Sequence, residues 1–229
     1  MAISAPEPDP RPTYRGWAVG TREPVTVWLI RHGATALTAR KCFSGSGGTD
    51  PALDAVGRAE IGRLGAWFAD QARVPDLVLT SPLRRARESA ELLAAQWGRE
   101  PEVEPGFREM DFGAWEGLTI DQAMATDPEG VAAWMGNPEA AAGGAESVAA
   151  TQERALQALE ARLADATPGQ VLAVVTHVTP IKTLMAHLVG GPLGLVYRTE
   201  LSSGSLTEIG CFAEDGRWAG SLRRFNHTA

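Results

Sequence analysis

Three short runs of apolar and β-branched residues stand out in the hydrophobic pattern of the chain. They cover residues 25–30, 77–80 and 171–176. Each run is almost continuously apolar rather than alternating, which is typical of a strand buried on both faces. We therefore predict three interior strands of one sheet.

Amphipathic stretches separate these runs and predict four helices. Their apolar positions are Ile61, Leu64, Gly65 and Phe68; Leu83, Ala86, Ala90, Leu93 and Trp97; Leu156, Leu159 and Leu163; and Ile181, Leu184, Met185 and Leu188. We expect the first helix to span about Asp54 to Gln71. We expect the second to have Ser81 as its N-cap and Pro82 as its first residue. Buried strands that alternate with helices predict an α/β fold with a doubly wound, mostly parallel sheet and helices on both faces.

Two segments fall outside this alternation. Residues 1–24 contain five prolines, which break helices and remove backbone donors, so we expect a linker or an irregular N-terminal tail. One domain is then expected over residues 25–229. Residues 121–147 are rich in Ala, Gly and Pro and predict an insertion over one edge of the sheet, a candidate lid.

Composition narrows the classes of function. A formal net charge of -7 argues against a nucleic-acid partner for this domain, although a local basic pocket can still attract a small anion. The sequence has no apolar run of about 18 residues and no secretory signal, so we expect no membrane partner. Cys42 and Cys211 are expected to be reduced thiols of a cytoplasmic protein, with a single disulfide as the alternative.

Basic and imidazole side chains follow each predicted strand. Arg31 and His32 follow the first strand, Arg84 and Arg85 come shortly after the second, and His177 follows the third. In an open α/β sheet, ligands bind beyond the carboxyl ends of the strands. Because the guanidinium fork matches phosphate oxygens, this combination favours a phosphate site.

Each signal also has a plainer interpretation when taken alone. The Arg-His pair fits a polar loop, and His177 fits a core histidine. The cluster of Arg84, Arg85 and Arg87 with Glu88 fits a solvated helix face. We expect His187 and His227 to be structural or surface residues. A metal site is disfavoured because the histidines and cysteines form no close ligand pair and arginines repel a cation. We therefore predict no metal and no other cofactor.

A phosphate ester also needs an acid to protonate the departing oxygen. The candidates are Glu109, Asp111 and Glu116, which lie among apolar and aromatic residues that could raise a carboxyl pKa. Their type and spacing alone do not rank them, and a solvated acidic turn is the alternative.

Together these motifs resemble the histidine phosphatase superfamily, which has the phosphoglycerate-mutase-like fold. The matching stretches are Arg31-His32-Gly33, Ser81-Pro82-Leu83-Arg84-Arg85-Ala86, Glu109 with Trp115-Glu116-Gly117, Gly144-Ala145-Glu146-Ser147, and Val175-Thr176-His177. The resemblance implies that His32 becomes phosphorylated, that Glu109 donates the proton, and that Arg31, Arg85 and His177 bind the phosphoryl group. We also predict Thr38 and Ser44 as phosphate-binding residues.

Within the superfamily the chain is similar to ribazole-phosphatase-like acid phosphatases. It is especially similar to the phosphatase domain of bifunctional bacterial proteins in which an RNase H domain comes first, which implies a longer natural protein. Ala34, Thr38 and Val178 depart from the residues that are frequent in the family, which affects substrate choice.

We expect a phosphomonoesterase that hydrolyses small phosphate monoesters, such as ribazole phosphate or a sugar or nucleotide phosphate, through a phosphohistidine. Two alternatives remain open. A phosphoglycerate mutase, which is an isomerase, would use the same residues. A non-catalytic interaction domain could keep the same fold.

Overall fold

The structure is a computed structural model that describes residues 23–214 and 216–229. The predicted tail at residues 1–24 therefore lies outside the described residues, apart from Glu23 and Pro24. In chain order the strands are β1 (Val25–Arg31), β2 (Leu77–Thr80), β3 (Pro101–Val103), β4 (Ala141–Ala142), β5 (Glu146–Ser147), β6 (Val171–Thr176), β7 (Leu206–Glu214) and β8 (Arg217–His227). The α-helices are α1 (Ala36–Ala39), α2 (Ala55–Asp70), α3 (Arg84–Trp97), α4 (Ile120–Thr126), α5 (Pro128–Gly136), α6 (Val148–Asp165) and α7 (Val178–Leu188).

The main sheet has the strand order β3-β2-β6-β1-β7-β8. The first four strands are parallel, while β7 runs antiparallel to β1 and β8 antiparallel to β7. The three predicted strands are confirmed as β2, β6 and β1, which are neighbours inside the sheet. The β7–β8 hairpin was not predicted, because Glu208 and Gly210 interrupt the apolar run of β7.

Helices cover both faces of the sheet, as predicted. Successive residues of a strand point to opposite faces. Trp28 and Ile30 of β1 pack against α2 and α3, whereas Val27 and Leu29 pack against α6 and α7. The expected doubly wound, mostly parallel α/β fold is therefore confirmed.

The predicted helix boundaries hold for one helix and fail for another. Helix α2 has Asp54 as its N-cap, whose side chain accepts a hydrogen bond from the Gly57 amide, as expected. The prediction that Ser81 caps the next helix is wrong, because α3 begins at Arg84 and its N-cap is Leu83. The Ser81 side chain instead contacts His177.

The segment at 121–147 packs onto a small apolar cluster that it shares with neighbouring parts of the chain. It contains α4, α5 and the β4–β5 pair, and its buried residues Val131 and Ala142 pack together with Trp115 and Val148. The expected insertion is thus structured rather than loop-like. Its role as a lid stays a prediction.

Cys42 is half-buried and Cys211 is buried, and both are free thiols. Burial raises the pKa of the Cys211 thiol to about 12, so this thiol stays protonated. No helix in the described part of the chain combines the length and the apolar character needed to cross a membrane.

Candidate active site

The carboxyl ends of β1, β2 and β6 bring the predicted residues to one place. Arg31 ends β1 and His32 follows it, Arg85 lies in the first turn of α3, and His177 follows β6. Arg85 Nε donates to His32 Nε2 at 3.2 Å. The imidazole rings of His32 and His177 have centroids 5.0 Å apart.

Two glycines allow the loop after β1 to pack closely against α2. A Cβ atom on Gly33 would lie 2.3 Å from the Gly57 carbonyl oxygen, and one on Gly57 would lie 2.1 Å from the Ala34 carbonyl oxygen. The Glu60 carboxylate accepts hydrogen bonds from the Ala34 amide and the Ser203 hydroxyl, both at 2.8 Å. These contacts fix the backbone that carries His32.

His32 is buried and held as a neutral imidazole. Its Nδ1 lies 2.7 Å from the Gly33 carbonyl oxygen, and its Nε2 faces the Nε–H donor of Arg85. A carbonyl can only accept, so Nδ1 carries the proton and Nε2 presents a lone pair. Burial, and then the charges of Arg85 and Arg31, lower the pKa of His32 well below its usual value. The ring therefore keeps a nucleophilic nitrogen at neutral pH.

Arg85 is buried and Arg31 is half-buried, and each guanidinium keeps a donor without a partner among the described residues. Arg85 Nη2 donates to the Ser44 carbonyl at 2.8 Å, while its Nη1 has no hydrogen-bond partner among the described residues and lies 3.6 Å from a carboxylate oxygen of Asp50. Arg31 Nη1 donates to the Leu201 carbonyl. Burial lowers the pKa of both, yet a guanidinium remains protonated at neutral pH. Their free N–H groups suit an anion.

His177 is fully buried and rests on Ser81. Its Nε2 lies 2.7 Å from Ser81 Oγ, which also accepts from the Leu83 amide at 3.2 Å. Its Nδ1 has no partner within the residues described. A Ser81 hydroxyl that donates to Nε2 places the ring proton on Nδ1, where it can be donated to an anion. Burial, followed by the charge of Arg85, lowers the pKa of His177 well below its usual value.

The three candidate acids occupy different environments. Glu109 is buried and lines the cavity at His32; burial raises its pKa although the Met110 and Thr179 amides donate to it. Asp111 and Glu116 do not line the cavity. Asp111 accepts from the Gly113 amide at 2.9 Å and Glu116 from the Gly45 amide at 2.9 Å, so both brace loops. Of the three, only Glu109 has the position and environment that an acid needs.

Thr38 and Ser44 also line the cavity, but their hydroxyl groups differ in hydrogen bonding. Thr38 Oγ1 lies 3.2 Å from Thr35 Oγ1 and accepts from the Thr35 amide in a reciprocal cap of α1. Ser44 Oγ is buried, and no described residue hydrogen-bonds to it. Ser44 thus keeps an unused hydroxyl beside Arg85, whereas Thr38 is already engaged.

A cavity of about 430 Å³ opens from this point. Its apolar lining is Phe43, Phe112, Trp134, Val148, Val178, Val196 and Tyr197. Its polar lining includes two residues that sequence reasoning did not single out, Lys41 and Lys182. The position of Lys182 one turn into the helix after His177 is the only sequence signal that could have identified it.

Arg154 is a further residue that the sequence did not reveal. It donates to the carbonyl oxygens of Gly106, Arg108 and Glu109 at 2.8, 2.7 and 3.1 Å. It also pairs with Glu146 at 2.7 Å. Burial acts to raise the pKa of Glu146, but Arg154 leaves it lowered. This ion pair holds the loop that presents Glu109.

The remaining histidines lie away from the cavity, as expected. His187 is exposed on α7, and the His227 ring packs 4.6 Å from the Trp67 ring. Across residues 23–214 and 216–229, no group of three or more His, Cys, Asp or Glu side chains is placed to bind a metal ion.

Comparisons with known proteins identify the family of the chain. The family model of the histidine phosphatase superfamily (branch 1) matches residues 27–224. A Mycobacterium tuberculosis protein named bifunctional protein Rv2228c is 34% identical over 217 residues, which are 95% of this chain and 58% of that protein. The adenosylcobalamin/alpha-ribazole phosphatase of Escherichia coli is 29% identical, covering 80% of this chain and 88% of the enzyme.

Structural comparison agrees with the sequence comparisons. A solved structure of mycobacterial hydrolase 1 superposes with a TM-score of 0.80 at 25% identity, covering 90% of this chain and all of that one. The chain thus spans 58% of the length of its bifunctional mycobacterial relative and the whole length of the hydrolase 1 structure. It belongs to branch 1 of the histidine phosphatase superfamily.

Proposed function

We propose that this chain is a phosphomonoesterase that hydrolyses small phosphate monoesters through a phosphohistidine on His32. The observation that carries the proposal is the neutral His32 with its Nε2 lone pair beside the buried Arg85. A nucleophile held in the correct tautomer next to unsatisfied guanidinium donors suits attack on phosphorus. The phosphatase names of relatives support the same class of reaction.

In the first step His32 Nε2 attacks phosphorus in line with the departing oxygen. A bond between Nε2 and phosphorus forms while the bond from phosphorus to the ester oxygen breaks. Arg31, Arg85 and His177 hold the equatorial oxygens, because such preorganised donors stabilise the charge of the transition state. We place Ser44 beside Arg85 as a further donor, and Thr38 at the edge of the same site.

Glu109 completes the cycle as acid and then as base. Its proton passes to the departing oxygen, and the alcohol leaves. The resulting carboxylate takes a proton from water as the water oxygen attacks the phosphohistidine, which releases inorganic phosphate and restores His32. The raised pKa of Glu109 supports this role, because a general acid must be protonated when the ester binds.

The shape of the cavity supports a small organic monoester as substrate. Its volume of about 430 Å³ and its aromatic lining suit an alcohol portion such as ribazole, a sugar or a nucleoside. The E. coli relative is named for alpha-ribazole phosphate chemistry, which makes this ester a first compound to assay.

We further propose that residues 25–229 form the phosphatase domain of a longer protein that also carries an RNase H domain. The bifunctional name of the mycobacterial relative, and its greater length, support this proposal. The full-length gene product should cleave the RNA strand of an RNA–DNA hybrid. A full-length protein without that activity would refute the fusion.

The phosphatase proposal is tested by replacing the nucleophile. His32→Ala should abolish release of phosphate from p-nitrophenyl phosphate, whereas His187→Ala, which changes an exposed histidine outside the cavity, should keep the wild-type rate. Circular dichroism should show both variants folded. A His32→Ala variant that is folded and still turns over at the wild-type rate would refute the proposal.

A further inference from the structure

The chain has 21 lysine and arginine residues, and only two of them are lysines. Both lysines, Lys41 and Lys182, line the cavity that leads to His32. The phosphoryl group already has Arg31 and Arg85 as cationic partners in the proposed reaction. The lysines are therefore positive charges in excess of those that the phosphoryl group requires.

Lys182 is half-buried and has spare hydrogen-bonding capacity. Its Nζ donates to the Val196 carbonyl at 3.0 Å. An ammonium has three donors, so two remain for a ligand. Among the described residues no carboxylate forms an ion pair with Lys182. A partly buried cation opposite one neutral acceptor is costly, and an anionic ligand would offset that cost.

The charges around Lys182 leave it free for such a ligand. Burial, followed by the charge of Arg31, lowers the pKa of Lys182, while Glu109 and Glu200 act to raise it. Glu109 is buried and bonded to backbone amides, and Glu200 is exposed and does not line the cavity. Neither carboxylate therefore occupies the position at Lys182 that an anionic ligand would take.

Lys41 adds a second, exposed cation at the C-terminal end of α1. It follows Arg40, the C-cap of α1, and its φ of 54° is the left-handed conformation in which many helices end. The end of α1 thus places a lysine at the cavity.

We infer that Lys182, together with Lys41, forms a second anion subsite, and that the substrate is a phosphate monoester whose alcohol portion carries a further anionic group, a carboxylate or a phosphate. This inference rests on the proposed phosphatase function. The aromatic wall of the cavity, formed by Phe43, Phe112, Trp134 and Tyr197, is placed to contact the carbon skeleton between the two anionic groups. The subsite then sets which monoesters bind tightly.

Matched synthetic esters test the subsite. The 3- and 4-carboxyphenyl phosphates are compared with the 3- and 4-carbamoylphenyl phosphates, which have nearly the same shape without the charge. The wild type should prefer the carboxylate of at least one pair by about tenfold in kcat/KM, the size of one hydrogen bond to a charged group. Lys182→Met should remove most of this preference through KM, and Lys182→Arg should keep part of it.

Arg198→Met serves as the matched control, because Arg198 is an exposed cation next to Tyr197 that does not line the cavity. It should keep the full preference. If Lys182 only supports Val196, Lys182→Met would lower kcat/KM equally for the charged and the neutral esters. That result would overturn the anion subsite but not the proposed phosphatase activity. The subsite would also be overturned if the wild type had the same kcat/KM for the carboxylate and the carbamoyl ester of each pair. A wild type that hydrolyses none of the four esters would overturn both proposals.

Discussion

The two ends of the cavity are held together by different forces. At the phosphate end, directional hydrogen bonds fix the side chains, as between Arg85 and the Ser44 carbonyl and between His177 and Ser81. At the opposite wall, aromatic rings pack on one another, with the Trp134 centroid 5.6 Å from that of Tyr197. Directional contacts tolerate little displacement, whereas apolar packing adapts to different ligands. We therefore expect substitutions at the phosphate end to change kcat and substitutions at the wall to change KM.

The largest effect in this comparison is expected at Arg85. Arg85→Met removes a donor to the transition state and a buried charge beside His32, so kcat should fall on the order of 10² to 10³-fold. Arg87→Met, two residues further along α3 and exposed, is the control and should stay near the wild-type rate. Steady-state kinetics on p-nitrophenyl phosphate would measure both. A loss in Arg85→Met that appears only in KM would contradict its place at the phosphate end.

The loss of activity on replacing Glu109 should depend on the leaving group of the ester. An alkyl alcohol departs poorly without a proton, while p-nitrophenolate departs readily, so Glu109→Gln should lose roughly 10²-fold on alkyl phosphates and less on p-nitrophenyl phosphate. Kinetics on both esters would measure the difference. If Asp111→Asn or Glu116→Gln gave this dependence and Glu109→Gln did not, the acid would have been misassigned.

The pH dependence of the rate should follow from the protonation of His32 and Glu109. His32 attacks only when neutral, hence above its lowered pKa, and Glu109 donates only when protonated, hence below its raised pKa. Activity should therefore be highest on the acidic side and fall as the pH rises through the pKa of Glu109. In Glu109→Gln that falling limb should flatten. An unchanged limb would assign it to another group.

The smallest effect is expected at the aromatic wall. Trp134→Leu removes a ring that packs against Phe43 and Tyr197, so KM for a large aryl phosphate such as naphthyl phosphate should rise several-fold with little change in kcat. Phosphate as a competitive inhibitor should bind as before, because it reaches only the other end. If kcat of Trp134→Leu fell as far as that of Arg85→Met, the two ends of the cavity would not differ in the way proposed.

The same contrast explains what the sequence could predict. Arg31 ends β1, and His32 and His177 directly follow β1 and β6, so short motifs and the rule for strand ends were enough to bring them together. Contacts distant in sequence gave no such signal. Arg154 binds a carbonyl 48 residues away. The Ser81 hydroxyl, which was expected to cap a helix, contacts a histidine 96 residues away.

Of the aromatic residues that line the cavity, only Trp134 lies in the predicted insertion, and Phe43, Phe112 and Tyr197 come from other segments. The segment at 121–147 is rich in small residues, and its apolar pattern is too short to reveal α4 and α5. Lys182 lines the cavity only because of the orientation of α7, which depends on packing of the whole sheet. These features arise from tertiary packing rather than from local sequence.

Trapping the intermediate tests the central claim most directly. Wild-type protein mixed with substrate and denatured within milliseconds should carry a phosphoryl group that is lost in acid and stable in base, as expected of a phosphohistidine, and peptide mass spectrometry should place it on His32. His32→Ala treated in the same way should carry none. A phosphoryl group on another residue, or one equally abundant in His32→Ala, would contradict the account.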